Sequence, residues 1–206
     1  MATEPQIPVI AARLVEHQDG FASFTTEDGQ WVIQNTVEAI SLFVEAVKNR
    51  TKMIVGYFRR LGLLATIPAT TGKRTISSMK ILFTGYLDTD FRNWNIGAND
   101  KVKPACLVES LELAKNGRFN DFFTAYSADL NKLVLTDEQV LWVVENRPDL
   151  LIQNGSANFF LLKKGDEFFV AHVFWYVGRL EVRVRRLSND FVWGAGYGRR
   201  IVVPQL

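Results

Sequence analysis

From Ala157 onward the chain reads with a period of two, and no other feature constrains the fold of this chain as tightly. In "RLEVRVRRL", Leu180, Val182 and Val184 alternate with Arg179, Glu181, Arg183 and Arg185. A strand there sends aliphatic groups to one side and charged groups to the other. Arg186 breaks the alternation and marks a bulge or a strand end. The preceding "EFFVAHVFWYV" is apolar in both sets, Phe168, Val170, Phe174 and Tyr176 against Phe169, Val173, Trp175 and Val177, so it has to be covered on both sides. Strands are expected near 157–163, 167–177, 179–187, 190–195 and 199–203, separated by "KKGD", "VGR", "SND" and a glycine-rich step. Five short strands in this spacing make an antiparallel sheet or a small, partly closed barrel.

Upstream, "IPVIAARLVE", "GFASFTT" and "QWVIQ" read as strands, with "TEDGQ" as a hairpin turn because Asp-Gly supplies positive φ. Asn35 with Glu38 has capping-box spacing, and Val37, Ile40, Val44 and Val47 share one stripe, which predicts an amphipathic helix over 36–48 facing inward. "MIVGYFRRLGLL" is ambiguous: Ile54, Tyr57, Phe58 and Leu61 suit a helix, but Gly56 weakens it by about 1 kcal/mol. "IPATTGKRT" is a loop, and the segment from "ISSMK" to "DKVKP" is an irregular crossing after a brief helix. A helix is expected over 105–116, closed by Gly117. Phe119, Phe122, Phe123 and Tyr126 fall at helical spacing. In "LTDEQVLWVVENRP", Thr136 caps, Gln139 completes the box, and Pro148 limits the helix. The expectation is one α+β domain over 1–206: N-terminal strands, a helical region at about 36–153, and a C-terminal five-stranded antiparallel sheet or partly closed barrel at about 157–206.

Composition, 48% hydrophobic and 22% charged, is that of a folded chain, and the net charge is only +2. The charge is uneven. Residues 157–206 carry eight basic side chains against four acidic, whereas 1–156 carry 16 against 18, which hints at an anionic partner. Cys106 is the one cysteine, so no internal disulfide or cysteine metal site forms. The N-terminus lacks a secretory pattern, and "FFVAHVFWYV" is half of the roughly 20 residues a membrane helix needs. A soluble, cytoplasmic protein is expected.

Few residues point to chemistry. In "WGAGYGRRI", Gly194, Gly196 and Gly198 alternate strictly and run into "RIVVP", unlike a dinucleotide-binding loop; a strand with one bare face is expected, with Trp193, Ala195 and Tyr197 on the other. Asp88 and Asp90 could share a cation, but two ligands are too few, and turn hydrogen bonds explain such aspartates. His17 ends a strand region. His172, amid apolar neighbours, reads as a hydrogen-bonded core residue before a catalyst. Cys106 with either histidine has no nucleophile context. Asp166 with Glu181 and Arg183 mimics a nuclease arrangement, but arginine replaces the lysine and cannot transfer a proton. No catalytic residue, metal or cofactor follows.

The remaining candidate is an anion-binding or nucleic-acid-binding surface: Arg179, Arg183, Arg185, Arg186, Arg199, Arg200, Lys163 and Lys164. Arginine beside aromatic rings suits single-stranded nucleic acid, through phosphate charge and base stacking. A solvated strand face that discourages edge pairing would look the same. The expected function is a non-enzymatic binding or adaptor module contacting nucleic acid or another anionic surface. Its rivals are an assembly protein anchored by Trp94, Trp142 and Trp175, and a small metal-dependent hydrolase using Asp88 and Asp90.

"GKRTI", "GYLDTDFRNW", "LTDEQV", "FFLLKKGDEFFVAHV" and "VWGAGYGRRIVVPQL" together give residues 72–206 a resemblance to a group of bacterial hypothetical proteins without assigned activity. That resemblance implies a bacterial cytoplasmic setting and carries over no site residue.

Overall fold

The computed structural model describes residues 25–38, 40–41, 54–97 and 102–206. The chain divides into two compact units, Met1–Thr51 and Lys52–Leu206.

In the first unit, α1 (Thr26–Gln34) occupies the segment expected to hold a hairpin turn and a strand. Asn35 caps nothing downstream; its backbone N–H and side-chain amide both donate to Trp31 O. Helical bonding absorbs Gly29 at a cost of about 1 kcal/mol, and the alternation in "QWVIQ" is too short to oppose it. Residues 36–38 and 40–41 are helical, as expected, but Val37 and Ile40 are exposed. "IPVIAARLVE", His17, most of "GFASFTT" and the end of the 36–48 helix lie outside the described residues.

The second unit is built on one eight-stranded mixed sheet in the order β1-β2-β4-β8-β5-β6-β7-β3. Its strands are β1 (Ile54–Val55), β2 (Phe58–Ile67), β3 (Tyr86–Leu87), β4 (Cys106–Leu113), β5 (Asn158–Lys164), β6 (Glu167–Tyr176), β7 (Arg179–Arg186) and β8 (Arg200–Pro204). Neighbours are antiparallel except β5 with β8 and β3 with β7. The α+β class holds, but the five-stranded antiparallel sheet or barrel does not. The sheet is open, and β8 leaves the meander to lie between β4 and β5. The reason is burial: Ile201, Val202 and Val203 are all fully buried, so β8 needs cover on both faces and a neighbour on each side. Residues 190–195 form no strand.

The helical region expected at 36–153 is corrected in two places. From Ile54 onward, "MIVGYFRRLGLL" forms β1, a turn with Gly56 at φ +62, and β2, which bulges between Arg60 and Leu63 with Gly62 at φ +69. Residues 106–113 form β4, paired on both edges. Val108 enters one core and Leu111 and Leu113 the other, and buried Ser110 donates to Leu150 O at 2.6 Å. Two-sided burial overrides the helix propensity of that segment.

Among the described residues, three α-helices accompany the sheet: α2 (Asp90–Asn93), α3 (Phe119–Tyr126) and α4 (Asp137–Asn146). In α4, Thr136 Oγ1 accepts from Gln139 N while Gln139 Oε1 accepts from Thr136 N, the reciprocal cap read in the sequence. α4 lies against β2 on one sheet face, and its Val140, Leu141, Val143 and Val144 join the core that also holds Ala65, Val108, Phe160, Phe169, Val182 and Val202. α3 covers part of the opposite face through Phe119, Phe122 and Phe123, over Phe159, Val170 and Ile201. Strand β6 thus contributes to both cores, as its doubly apolar pattern requires. Among the described residues, no helix is long and apolar enough to cross a membrane.

Candidate functional site

α3 leaves the β6–β7 end of its sheet face uncovered, and there the charged side of β7 meets the even-numbered residues of β6. Register places Arg183 across from His172, Arg185 across from Val170, and Glu181 across from Phe174. Phe159 of β5 stands on the other side of His172. A loop between β7 and β8 closes the far wall. It is held by backbone bonds both ways between Trp193 and Gly117, by Ala195 N donating to Asn116 Oδ1, and by Ser156 Oγ donating to Tyr197 O at 2.6 Å. The expected glycine-alternating strand is instead a 3-10 turn, Ala195–Tyr197, ending on Gly198 at φ +66. A Cβ at Gly198 would stand 2.8 Å from Ile152 Cδ1, so glycine serves both the left-handed turn and the close approach.

These walls enclose a cavity of about 970 Å³, open to solvent on one side. Arg183, Arg185 and Arg199 line it, and no Asp or Glu is among its described lining residues. Glu181, on the same face of β7, lies 3.4 Å from Arg183, and Asp88 lies 3.5 Å from Arg185. The Arg183 guanidinium lies over the rings of Phe174 and Tyr86, each 5.4 Å away. Arg199 lies over Tyr197 at 4.4 Å and Trp193 at 5.2 Å, and burial pulls its pKa down. Stacking of this kind fixes a guanidinium while leaving in-plane N–H groups for an anion.

His172 sits at the inner end, 5% exposed, its ring 5.1 Å from Phe119, 5.2 Å from Trp193 and 5.6 Å from Phe159. Burial first, then the charges of Arg185 and Arg183, hold its pKa down to about 3, so the imidazole is neutral at physiological pH. Its Nε2 has no hydrogen-bond partner among the described residues, and the same is true of Trp193 Nε1 and Arg199 Nε. The expected hydrogen-bonded core histidine is therefore buried but unpaired at Nε2. These three buried polar atoms belong to residues that line the cavity, and they lie beneath its surface.

The eight basic residues singled out in the sequence do not form one surface. Arg183, Arg185 and Arg199 converge on the cavity. Arg179 is exposed at the start of β7, outside the lining. Lys163 shares the α3 face but bonds Asn131 Oδ1 at 2.7 Å and lies over Phe168. Arg186, Lys164 and Arg200 alternate to the opposite face. There Arg186 pairs with Glu167 beside Trp94, Lys164 donates to Trp94 O, and Arg200 donates to Asp149 O. Alternation along the strands divides these residues between the two faces of the sheet.

The proposed tryptophan anchors are not free. Trp94, Trp142 and Trp175 pack half-buried against the α4-side core. The exposed rings at the cavity rim are Tyr176, Phe191 and Tyr197. Asp88 and Asp90 gather no third ligand, and among the described residues no group of three or more His, Cys, Asp or Glu could hold a metal. Cys106 accepts from Gln139 Nε2 beside α4. Glu181 lies across from Phe174, at the far end of β6 from Asp166, which separates the nuclease-like residues. Missed in the sequence were the wall-forming roles of Trp193 and Tyr197; the three glycines around them signalled a turn as much as a strand.

No family model, curated protein or solved structure matches the chain.

Proposed function

We propose that this chain is a non-enzymatic binding module whose sheet-face cavity holds an anionic partner carrying a flat ring. One observation carries the reading: three arginines meet in a single aromatic-walled cavity without a carboxylate in its described lining. Guanidinium groups answer the charge, and the rings of Phe174, Trp193 and Tyr197 answer the flat part. The volume falls in the range that small-molecule and cofactor sites occupy. The lining supplies donors and stacking surfaces but no paired acid and base: the imidazole is neutral, and the Ser156 hydroxyl already donates to Tyr197 O.

Anilinonaphthalene sulfonate, a dye with one sulfonate and flat rings, tests the reading. It should bind saturably with a blue-shifted emission, and Arg183→Ala with Arg185→Ala should weaken it at least about tenfold, since each charge-assisted contact contributes roughly 1.5–3 kcal/mol before solvent screening. Equal affinity in the double variant at low salt would sink the proposal.

A further inference from the structure

We infer that the partner is a single strand of nucleic acid crossing the sheet, with two successive nucleotides held in the cavity; this rests on the cavity being the binding site proposed above. Arginine–aromatic stacks occur twice on this face. One is Arg183 over Phe174 on β7 and β6, and the other is Arg199 over Tyr197 and Trp193 at the start of β8. The strand order β8-β5-β6-β7 sets the two backbones three strand spacings apart, about 14 Å. A compact anion with one ring satisfies one stack and leaves the other idle. A ligand that repeats charge and ring along its length satisfies both.

The aromatic walls narrow the class. Phe174, Trp193 and Tyr197 all line the cavity. Nucleobases in an unpaired strand leave their faces free to stack; in a duplex the faces are covered by neighbouring pairs. A sulfated or phosphorylated polymer without bases supplies the charge but nothing to stack. At the rim, Tyr176, Phe191 and Tyr197 are 58–64% exposed, so the stacking surface continues where a strand would enter and leave.

The test uses the full chain and a fluorescein-labelled decathymidylate, with the same length of duplex, thymidine monophosphate and an acidic peptide as competitors against the anilinonaphthalene dye. The single strand should displace the dye and bind more tightly than the duplex or the mononucleotide. Its affinity should fall with salt at a log–log slope of about −2, the value for three phosphate contacts. Tyr197→Ala changes an exposed ring; it should weaken binding roughly five- to hundredfold and leave the salt slope unchanged. Arg183→Ala should lower the slope by about 0.7. Dye binding that no strand displaces overturns the strand and leaves the cavity standing; loss of dye binding as well overturns both. Duplex or mononucleotide binding equal to that of the strand, or displacement by the acidic peptide alone, overturns the inference.

Discussion

Asp88 Oδ2 accepts the backbone N–H of Val184 at 3.2 Å, so a side chain completes the strand pairing that β3 leaves unfinished after Leu87. Its other oxygen accepts Asp90 N at 3.1 Å, and Arg185 lies 3.5 Å from Oδ2. Asp88 is 7% exposed, and removing it strands a buried amide. Asp88→Ala should cost about 1–3 kcal/mol in urea unfolding, and Asp88→Asn less because one oxygen remains. Because both oxygens are engaged, magnesium or calcium should move the melting temperature no more than a monovalent salt of equal ionic strength.

His172 makes the stability of the second unit dependent on pH. Its folded pKa of about 3 lies below the unfolded value near 6.5, so folding favours the neutral ring. The contribution is complete above pH 6.5 and is lost as pH falls from there toward 3. His172→Phe keeps a ring among Phe119, Phe159 and Trp193 and removes the unpaired Nε2. Unfolding free energies measured at pH 7 and pH 4.5 should differ less in the variant than in the parent.

Val177 and Gly178 turn the β6–β7 hairpin with φ of +48 and +72, a conformation in which valine is strained. Val177 is 83% exposed and gains little from burial in return. Val177→Asn should stabilise the chain by about 1 kcal/mol, read as a higher urea midpoint with an unchanged slope.

Gly97 has φ +74, and a Cβ there would stand 2.1 Å from Asp137 Oδ2, the oxygen that accepts Ile76 N. Gly97→Ala therefore combines left-handed strain with displacement of a buried carboxylate. A loss of about 2–4 kcal/mol, seen as a lower melting temperature, is expected. Full retention of the melting temperature would disprove this account of the loop.

The α4 cap and the facing of β6 and β7 were legible because their signals are local. A Thr–Gln box closes within four residues, and period-two alternation reads directly as two faces. The 106–113 segment was not legible, since Leu107, Val108 and Leu111 fit a helix as well as a doubly buried strand, and only its pairing with β2 and β8 decides. The arginine surface was half legible. Arg183 lies over Phe174, but Arg185 lies across from Val170, and Arg186 and Lys164, adjacent in sequence to residues of the α3 face, point to the opposite side.

Short-range patterning alone settled which side chains of β6 and β7 face together, where α3 and α4 run, and that the last fifty residues carry excess positive charge. Tertiary structure decided that β8 inserts beside β5, that the glycine-rich loop folds into a wall, and that Arg199 therefore reaches the cavity of Arg183 and His172. The division has a physical cause. Alternation and capping are energies of neighbouring residues, whereas the partner of a fully apolar strand is chosen by burying both of its faces at once, and that choice depends on the whole sheet.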